Sequence, residues 1–398
     1  MDNKDDKLPI LNVSVVGHID HGKTTLLQKL SGVWASRHSE ELKRGISIKL
    51  GYADIVIYYD KKEGYNIHKK GEAVRRISFV DAPGHEMLMA TMLSGAAMID
   101  AAILVVAANE GIKPQTIEHL SALQAKRVKN LIVVQNKIDL VDKEQAKKNH
   151  EDIKKLLKGK YDDAIIIPVS ALQEVGIGGV YEALVNVKIP ERRLNDEPVF
   201  IVARSFDVNK PGVAAEGLKG CVLGGTLKCG KLKVGDEIEL KPGRAIKTEI
   251  GVKYEIIKTK IRKLFVGSKN VDELTPGGSM SIETELDMAM GKSDALAGNI
   301  VGIAGKLPEL ANNLELKFEL FPEVYGLGGH EKVENLKKSE MLMLSINTST
   351  TGGNVIDVKG DKLKINLKVP VIGFRGDNAC IARNIKGHWR LIGYGEIL

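Results

Sequence analysis

Gly17-His18-Ile19-Asp20-His21-Gly22-Lys23-Thr24 stands between an apolar, β-branched run, Ile10 to Val16, and a stretch with helical spacing, Thr25 to Leu30. The first predicts a buried strand and the second a helix. The eight residues are then a strand-to-helix turn, and they fit G-x-x-x-x-G-K-[ST]. Glycines let the backbone come close to an anion, and successive N–H groups converge on it. The positive end of the following helix adds attraction. Asp20, His21, Gly22, Lys23, Thr24 and Thr25 therefore form the candidate phosphate cradle. Lys23 is placed to reach the β- and γ-phosphates, and the Thr24 hydroxyl to ligate Mg²⁺. Alone, the motif says only that a nucleotide phosphate binds.

Outward from this turn, residues 1–194 alternate apolar runs with helical patterns. Strands are expected near 10–16, 51–59, 75–80, 101–107, 130–136 and 164–168. Helices are expected near 23–31, 85–98, 115–126, 143–158 and 177–186. Such alternation predicts an α/β domain, a mostly parallel sheet with helices on both faces. Ligands of such sheets sit beyond the C-terminal ends of the strands.

Three further patches fall at predicted strand ends or in the loops near them. Arg44-Gly45-Ile46-Ser47-Ile48 lies in a polar loop spanning Trp34 to Leu50. It reads either as an ordinary surface connection or as the source of a hydroxyl that completes a Mg²⁺ shell when a γ-phosphate is present. In Phe79-Val80-Asp81-Ala82-Pro83-Gly84-His85, Asp81 can hold Mg²⁺ through water. Gly84 offers an N–H to the γ-phosphate with no side chain in the way, and His85 follows where it can orient an attacking water. A lone His is ordinarily structural; one beside a phosphate sensor is a candidate catalytic group. Asn136-Lys137-Ile138-Asp139 closes the fifth strand. The Asp139 carboxylate can accept from guanine N1–H and the exocyclic amine. Adenine has no matching donors, and sites built on such pairing discriminate by about 10⁴ or more. The Lys137 stem covers one face of the base, and Ser170-Ala171-Leu172 supplies a backbone N–H near guanine O6. Together the four motifs specify GTP or GDP.

The chain has 398 residues, which predicts two or three domains. Its 43% hydrophobic and 27% charged content is that of a soluble globular protein. The net charge of +7 fits a polyanionic partner. Three cysteines, Cys221, Cys229 and Cys380, argue against a disulfide framework and for a reducing compartment. There is no run of 18 apolar residues and no signal-peptide pattern. The expectation is a cytoplasmic protein with no membrane partner.

Pro190-Glu191-Arg192-Arg193-Leu194-Asn195-Asp196-Glu197-Pro198 reads as a linker. Beyond it, short β-rich runs alternate with Gly-rich turns, the pattern of small barrels. The expected domains are 1–194 for nucleotide, 195–310 for one β-barrel and 311–398 for a second. Strands of the second barrel are expected to include Val371–Phe374, with Trp389–Gly395 closing it. Residues 241–263 carry eight basic residues against two acidic ones. They read first as a solvated hairpin and second as a surface facing a nucleic acid backbone. Cys221 and Cys229 read as small core residues.

G-H-x-D-H-G-K-T, R-G-I-S-I, D-A-P-G-H and N-K-I-D together resemble the translational GTPases of the elongation factor Tu type. Residues 31–34, 37–42, 50–54, 88–96, 204–212 and 389–393 narrow the resemblance to the gamma subunits of archaeal and eukaryotic translation initiation factor two. That resemblance implies a P-loop GTPase domain followed by two β-barrels. It also implies alpha and beta subunits as partners, and GTP-dependent delivery of initiator methionyl-tRNA to the small ribosomal subunit. Hydrolysis to GDP and phosphate then releases the tRNA. By matching motifs, Thr24 and Ser47 would ligate the principal Mg²⁺, Asp20 and the Gly45 carbonyl a second one, and His85 and Asp20 would be the catalytic positions. Ile19 and Ile46 resemble the apolar pair that screens His85 from water. The family's zinc knuckle needs two C-x-x-C pairs, whereas Ile55 to Arg76 has no cysteine, so no zinc is expected. The alternative within the same fold is an elongation factor delivering elongator or selenocysteinyl-tRNA. A non-hydrolysing scaffold is the alternative of another class, and residues 34–50 and 81–97, which the γ-phosphate and Mg²⁺ would order, argue against it together with His85.

Overall fold

Seven strands form the first sheet, in the order β3-β2-β4-β1-β5-β6-β7. They are β1 Ile10–Gly17, β2 Gly51–Asp60, β3 Gly64–Asn66, β4 Glu72–Asp81, β5 Ala101–Ala107, β6 Asn130–Asn136 and β7 Ile165–Pro168. The structure is a computed structural model that describes residues 8–32, 51–81, 98–209, 219–249, 251–267, 269–325 and 331–398, with only the backbone of Gly51, Tyr52 and Asp81. The readings at Gly45, Ser47, Gly84 and His85, and the helix expected at 85–98, lie outside these residues.

β1 pairs in parallel with β4 and β5, β5 with β6, and β6 with β7, while β2 and β3 are antiparallel. Every residue of β5 is buried, as expected where both faces of a parallel sheet are covered. The helices are α1 Lys23–Ser31, α2 Pro114–Ala125, α3 Lys143–Leu157 and α4 Ile177–Asn186. Leu26, Leu27 and Leu30 of α1 recur at helical spacing and pack with Val13, Val15 and Ile103. Proline in its first turn suits α2, since its missing N–H would have no intrahelical partner.

Within the cysteine-free interval Ile55 to Arg76, the turn after β3 is ordered around one side chain. Asn66, 7% exposed, accepts at Oδ1 from the N–H groups of His68 (3.0 Å) and Lys70 (3.4 Å). Its Nδ2 donates to the carbonyls of Gly64 (3.3 Å) and Lys70 (3.0 Å). The Tyr59 and Tyr65 rings pack 5.0 Å apart beside it.

A second ring runs Glu237–Thr248, Ile300–Ile303, Val199–Phe206, Val222–Cys229, Met280–Thr284 and Gly251–Val266, closed by pairing of the first strand with the last. Phe200, Leu223, Ile238, Leu264 and Ile282 fill it. Cys221 and Cys229 are buried free thiols, as core residues should be. Residues 241–263 do form an antiparallel hairpin, but Lys241 is not solvated. It is 8% exposed, and its Nζ donates to the carbonyls of Leu307 and Pro308, 3.0 Å each.

The third ring is a closed barrel in the order Ala311–Leu320, Lys362–Val371, Ser349–Lys359, Met341–Ile346, Asn378–Ile385 and His388–Ile397. Of the strand expected at Val371–Phe374, only Val371 is in a strand. Ile372 and Phe374 leave the ladder to pack against Val199, Cys229 and Leu307, and apolar burial there wins over pairing. By contacts the chain divides into two compact units. One is Met1–Pro190 with Leu320–Glu334 and Ala382–Gly393, and the other holds the remainder. Among the described residues no helix is long and apolar enough to cross a membrane.

Candidate nucleotide-binding site

The turn after β1 is built from left-handed positions. Asp20 has φ +63°, and Gly22 has φ +89° at the start of α1. A Cβ on Gly22 would stand 2.3 Å from Asn136 Nδ2, so a side chain there is excluded both by conformation and by space. The Leu26 N–H donates to the Gly22 carbonyl at 2.8 Å, the first bond of the helix. Lys23, only 8% exposed, folds its Nζ back to the His18 carbonyl at 2.7 Å. Thr24 and Thr25 lie half-exposed on the first turn of α1.

The remaining motifs reach the same edge because the strands are parallel. In register, Val15 lies beside Asp81, Ala107 beside Asn136 and Gln135 beside Pro168. One buried side chain then joins three motifs. Asn136 Nδ2 donates to the His21 carbonyl (2.9 Å), and Asn136 Oδ1 accepts the Ala171 N–H (3.0 Å). Lys137, at φ +61°, donates from Nζ to Glu110 Oε1 at 3.0 Å. Asp139 is exposed in the 3-10 turn Ile138–Leu140. Ser170 is buried, and its Oγ accepts the Gln173 N–H at 3.2 Å, while Leu172 is exposed.

Sequence reasoning missed the groups that hold the turn from below. Gln115 and His119 lie four residues apart on one face of α2. Gln115 Oε1 accepts the Ile19 N–H at 3.2 Å, and His119 Nδ1 accepts the Gly17 N–H at 2.9 Å. Two N–H groups of the turn are thus spent on protein, which fixes the peptides between them. His119 must be neutral to accept. Burial first, then the positive Lys23 and His18, pushes it down to about 3. His21 donates from Nδ1 to the Val105 carbonyl at 3.2 Å, and burial pushes it down to about 4. Glu118, the residue before His119, accepts from Arg390 Nη1 at 2.9 Å with both side chains nearly buried. Gln115, Glu118 and His119 at helical spacing along one side of α2 were the available signal.

Converging N–H groups, an ammonium and a helix N-terminus at one rim suit a polyphosphate. The hydroxyl of Thr24 and the carboxylates of the two candidate Asp positions are hard oxygen donors of the kind Mg²⁺ takes.

Comparison with known proteins agrees with this geometry. The family model described as Elongation factor Tu GTP binding domain matches residues 8–190. The model described as Initiation factor eIF2 gamma, C terminal, matches residues 312–397. The chain is 49% identical to the translation initiation factor 2 subunit gamma of Methanococcus vannielii over 98% of both chains. It is 46% identical to that of Archaeoglobus fulgidus, over 98% of this chain and 95% of the relative. Among solved structures, a bacterial selenocysteine-specific elongation factor, EF-Sec, superposes with TM-score 0.77 at 25% identity. The match takes in 98% of this chain and 58% of that one. The elongation factor SelB of Methanococcus maripaludis gives TM-score 0.73 at 24% identity, over 98% of this chain and 79% of that one, a likeness of fold.

Proposed function

This chain belongs to the gamma-subunit family of translation initiation factor 2 and is a translation-initiation GTPase subunit, and on that footing we propose how its residues divide the work. Gly22, Lys23, Thr24 and Thr25, with the neighbouring N–H groups of Asp20 and His21, bind the phosphates. Asp139 reads the guanine, Lys137 covers its face, and the Ser170–Leu172 turn lends backbone N–H to O6. Thr24 and Ser47, with Asp81 through water, would hold Mg²⁺, whose charge offsets that of the β- and γ-phosphates. Asp20 and the Gly45 carbonyl would hold a second. His85 orients the water that attacks the γ-phosphorus, and Gly84 senses the phosphate that leaves.

The observation that supports this reading best is the Asn136 side chain. It bonds the phosphate turn and the Ser-Ala-Leu turn at once, so base and phosphate sites are set at a fixed spacing. The chain joins alpha and beta subunits and, with GTP bound, carries initiator methionyl-tRNA to the small ribosomal subunit. GDP lets it go. Filter binding of initiator methionyl-tRNA, with GTP against GDP and with and without the alpha subunit, tests this. Tighter binding with GTP is expected. Equal binding in both states, or preference for elongator aminoacyl-tRNA, would overturn the cargo assignment.

A further inference from the structure

We propose that Arg390, far from the nucleotide in sequence, is a positioning residue for nucleotide retention and acts on the phosphate turn through α2. The proposal rests on the nucleotide reading above and adds a residue that no motif of the site contains. Arg390 lies in the strand His388–Ile397, within the stretch Ala382–Gly393 that packs in one compact unit with the first sheet.

Three observations carry it. The Arg390–Glu118 pair is 2.9 Å long, with side chains 6% and 3% exposed. Removing Arg390 takes from Glu118 a buried charge partner that water at this depth does not replace, and the pair ties α2 to the strand that carries Arg390. Next, α2 is a short stiff rod of 12 residues. Glu118 adjoins His119 and lies three residues from Gln115, so all three move together. Finally, those two neighbours hold the turn itself, through Gly17 N–H at 2.9 Å and Ile19 N–H at 3.2 Å. Bonds of that length are lost when the helix shifts by roughly an ångström. Gly17 and Ile19 bracket His18, whose carbonyl takes the Lys23 ammonium. Seating of one C-terminal arginine thereby sets the backbone that faces the phosphates.

The test is dissociation of a fluorescent GDP, chased with excess GDP, from the full chain. Variants are Arg390→Met, Arg390→Lys, Glu118→Gln, His119→Ala, and the doubles Glu118→Gln/Arg390→Met and His119→Ala/Arg390→Met. Arg390→Met is expected to speed GDP release about tenfold, within the range of coupling through packed networks. His119→Ala is expected to do the same. Their double is expected to be no faster than the faster single, because both act through one turn. Arg390→Lys is expected to recover most of the wild-type rate. If Arg390→Met does not fold, Glu118→Gln/Arg390→Met serves in its place, since it leaves no stranded charge. That double is expected to recover thermal stability yet keep fast release. Recovery of both together would mean the pair only stabilises, and would overturn the proposal. So would an unchanged release rate in Arg390→Met, or rates that multiply in His119→Ala/Arg390→Met. A wild-type chain that binds no guanine nucleotide would remove the nucleotide reading instead, and the proposal with it.

Discussion

At Asp139 and His119 a single group carries a prediction. An exposed Asp139 carboxylate at the end of β6 can pair with the two donors of guanine. Asp139→Asn is expected to weaken GTP and favour xanthosine triphosphate, which carries a carbonyl where guanine has its amine. Competition binding with the two nucleotides checks this, and retained GTP preference would remove Asp139 from base reading. His119 acts through its neutrality. Its folded value of about 3 lies below the ordinary 6.5, so between those values the unfolded chain binds the extra proton. Stability is therefore expected to fall as pH drops below about 6.5, with no contribution above it, by at most about 1.4 kcal/mol per pH unit. His119→Gln keeps an acceptor and cannot titrate. It is expected to flatten the decline between about pH 6.5 and 5 in denaturant titrations. Asp139 was legible in the sequence because its motif has fixed spacing. His119 was not, because its role depends on a tertiary approach to Gly17 across 102 residues.

Among elements, the strands easiest to read were those buried on both faces. β5 and β6 fall where the apolar runs fall, because a continuous apolar segment bounded by polar residues has one way to be buried. The hairpin Glu237–Thr248 and Gly251–Val266 runs longer than its apolar pattern. Its outer half is exposed, so pairing continues there without hydrophobic alternation. The strand Ile300–Ile303 is short, with little period of its own to mark it. The β2–β4 connection was read from what it lacks. What holds it is Asn66, visible only once its four bonds are in place. Asn66→Ala would leave those N–H and carbonyl groups seeking water in a half-buried turn, and is expected to cost about 1–3 kcal/mol. Urea unfolding measures it, and a loss under about 0.5 kcal/mol would mean the turn stands without its staple.

At the scale of the molecule, nucleotide should steady the compact unit that holds its site. The phosphate turn, Asn136 and Asp139 all lie in the unit that begins with the first sheet. Ligand at about a hundred times its Kd stabilises the form that binds it by about 2.7 kcal/mol. For a unit of this size that corresponds to roughly 5–10 °C in Tm. Calorimetry with and without GDP and Mg²⁺ is expected to move the transition of that unit by this amount. An unmoved transition would take the nucleotide away from this rim.

The Glu118–Arg390 pair also imposes a schedule on biosynthesis. Arginine arrives 272 residues after glutamate. At about 5–20 residues per second, that is a wait of roughly a quarter of a minute to a minute. During it the newborn sheet can assemble, yet the Arg390 that pairs with Glu118 of α2 has not been made. If Arg390 sets the turn as proposed, the phosphate turn is expected to gain its final grip only once the last strand of the second barrel has left the ribosome.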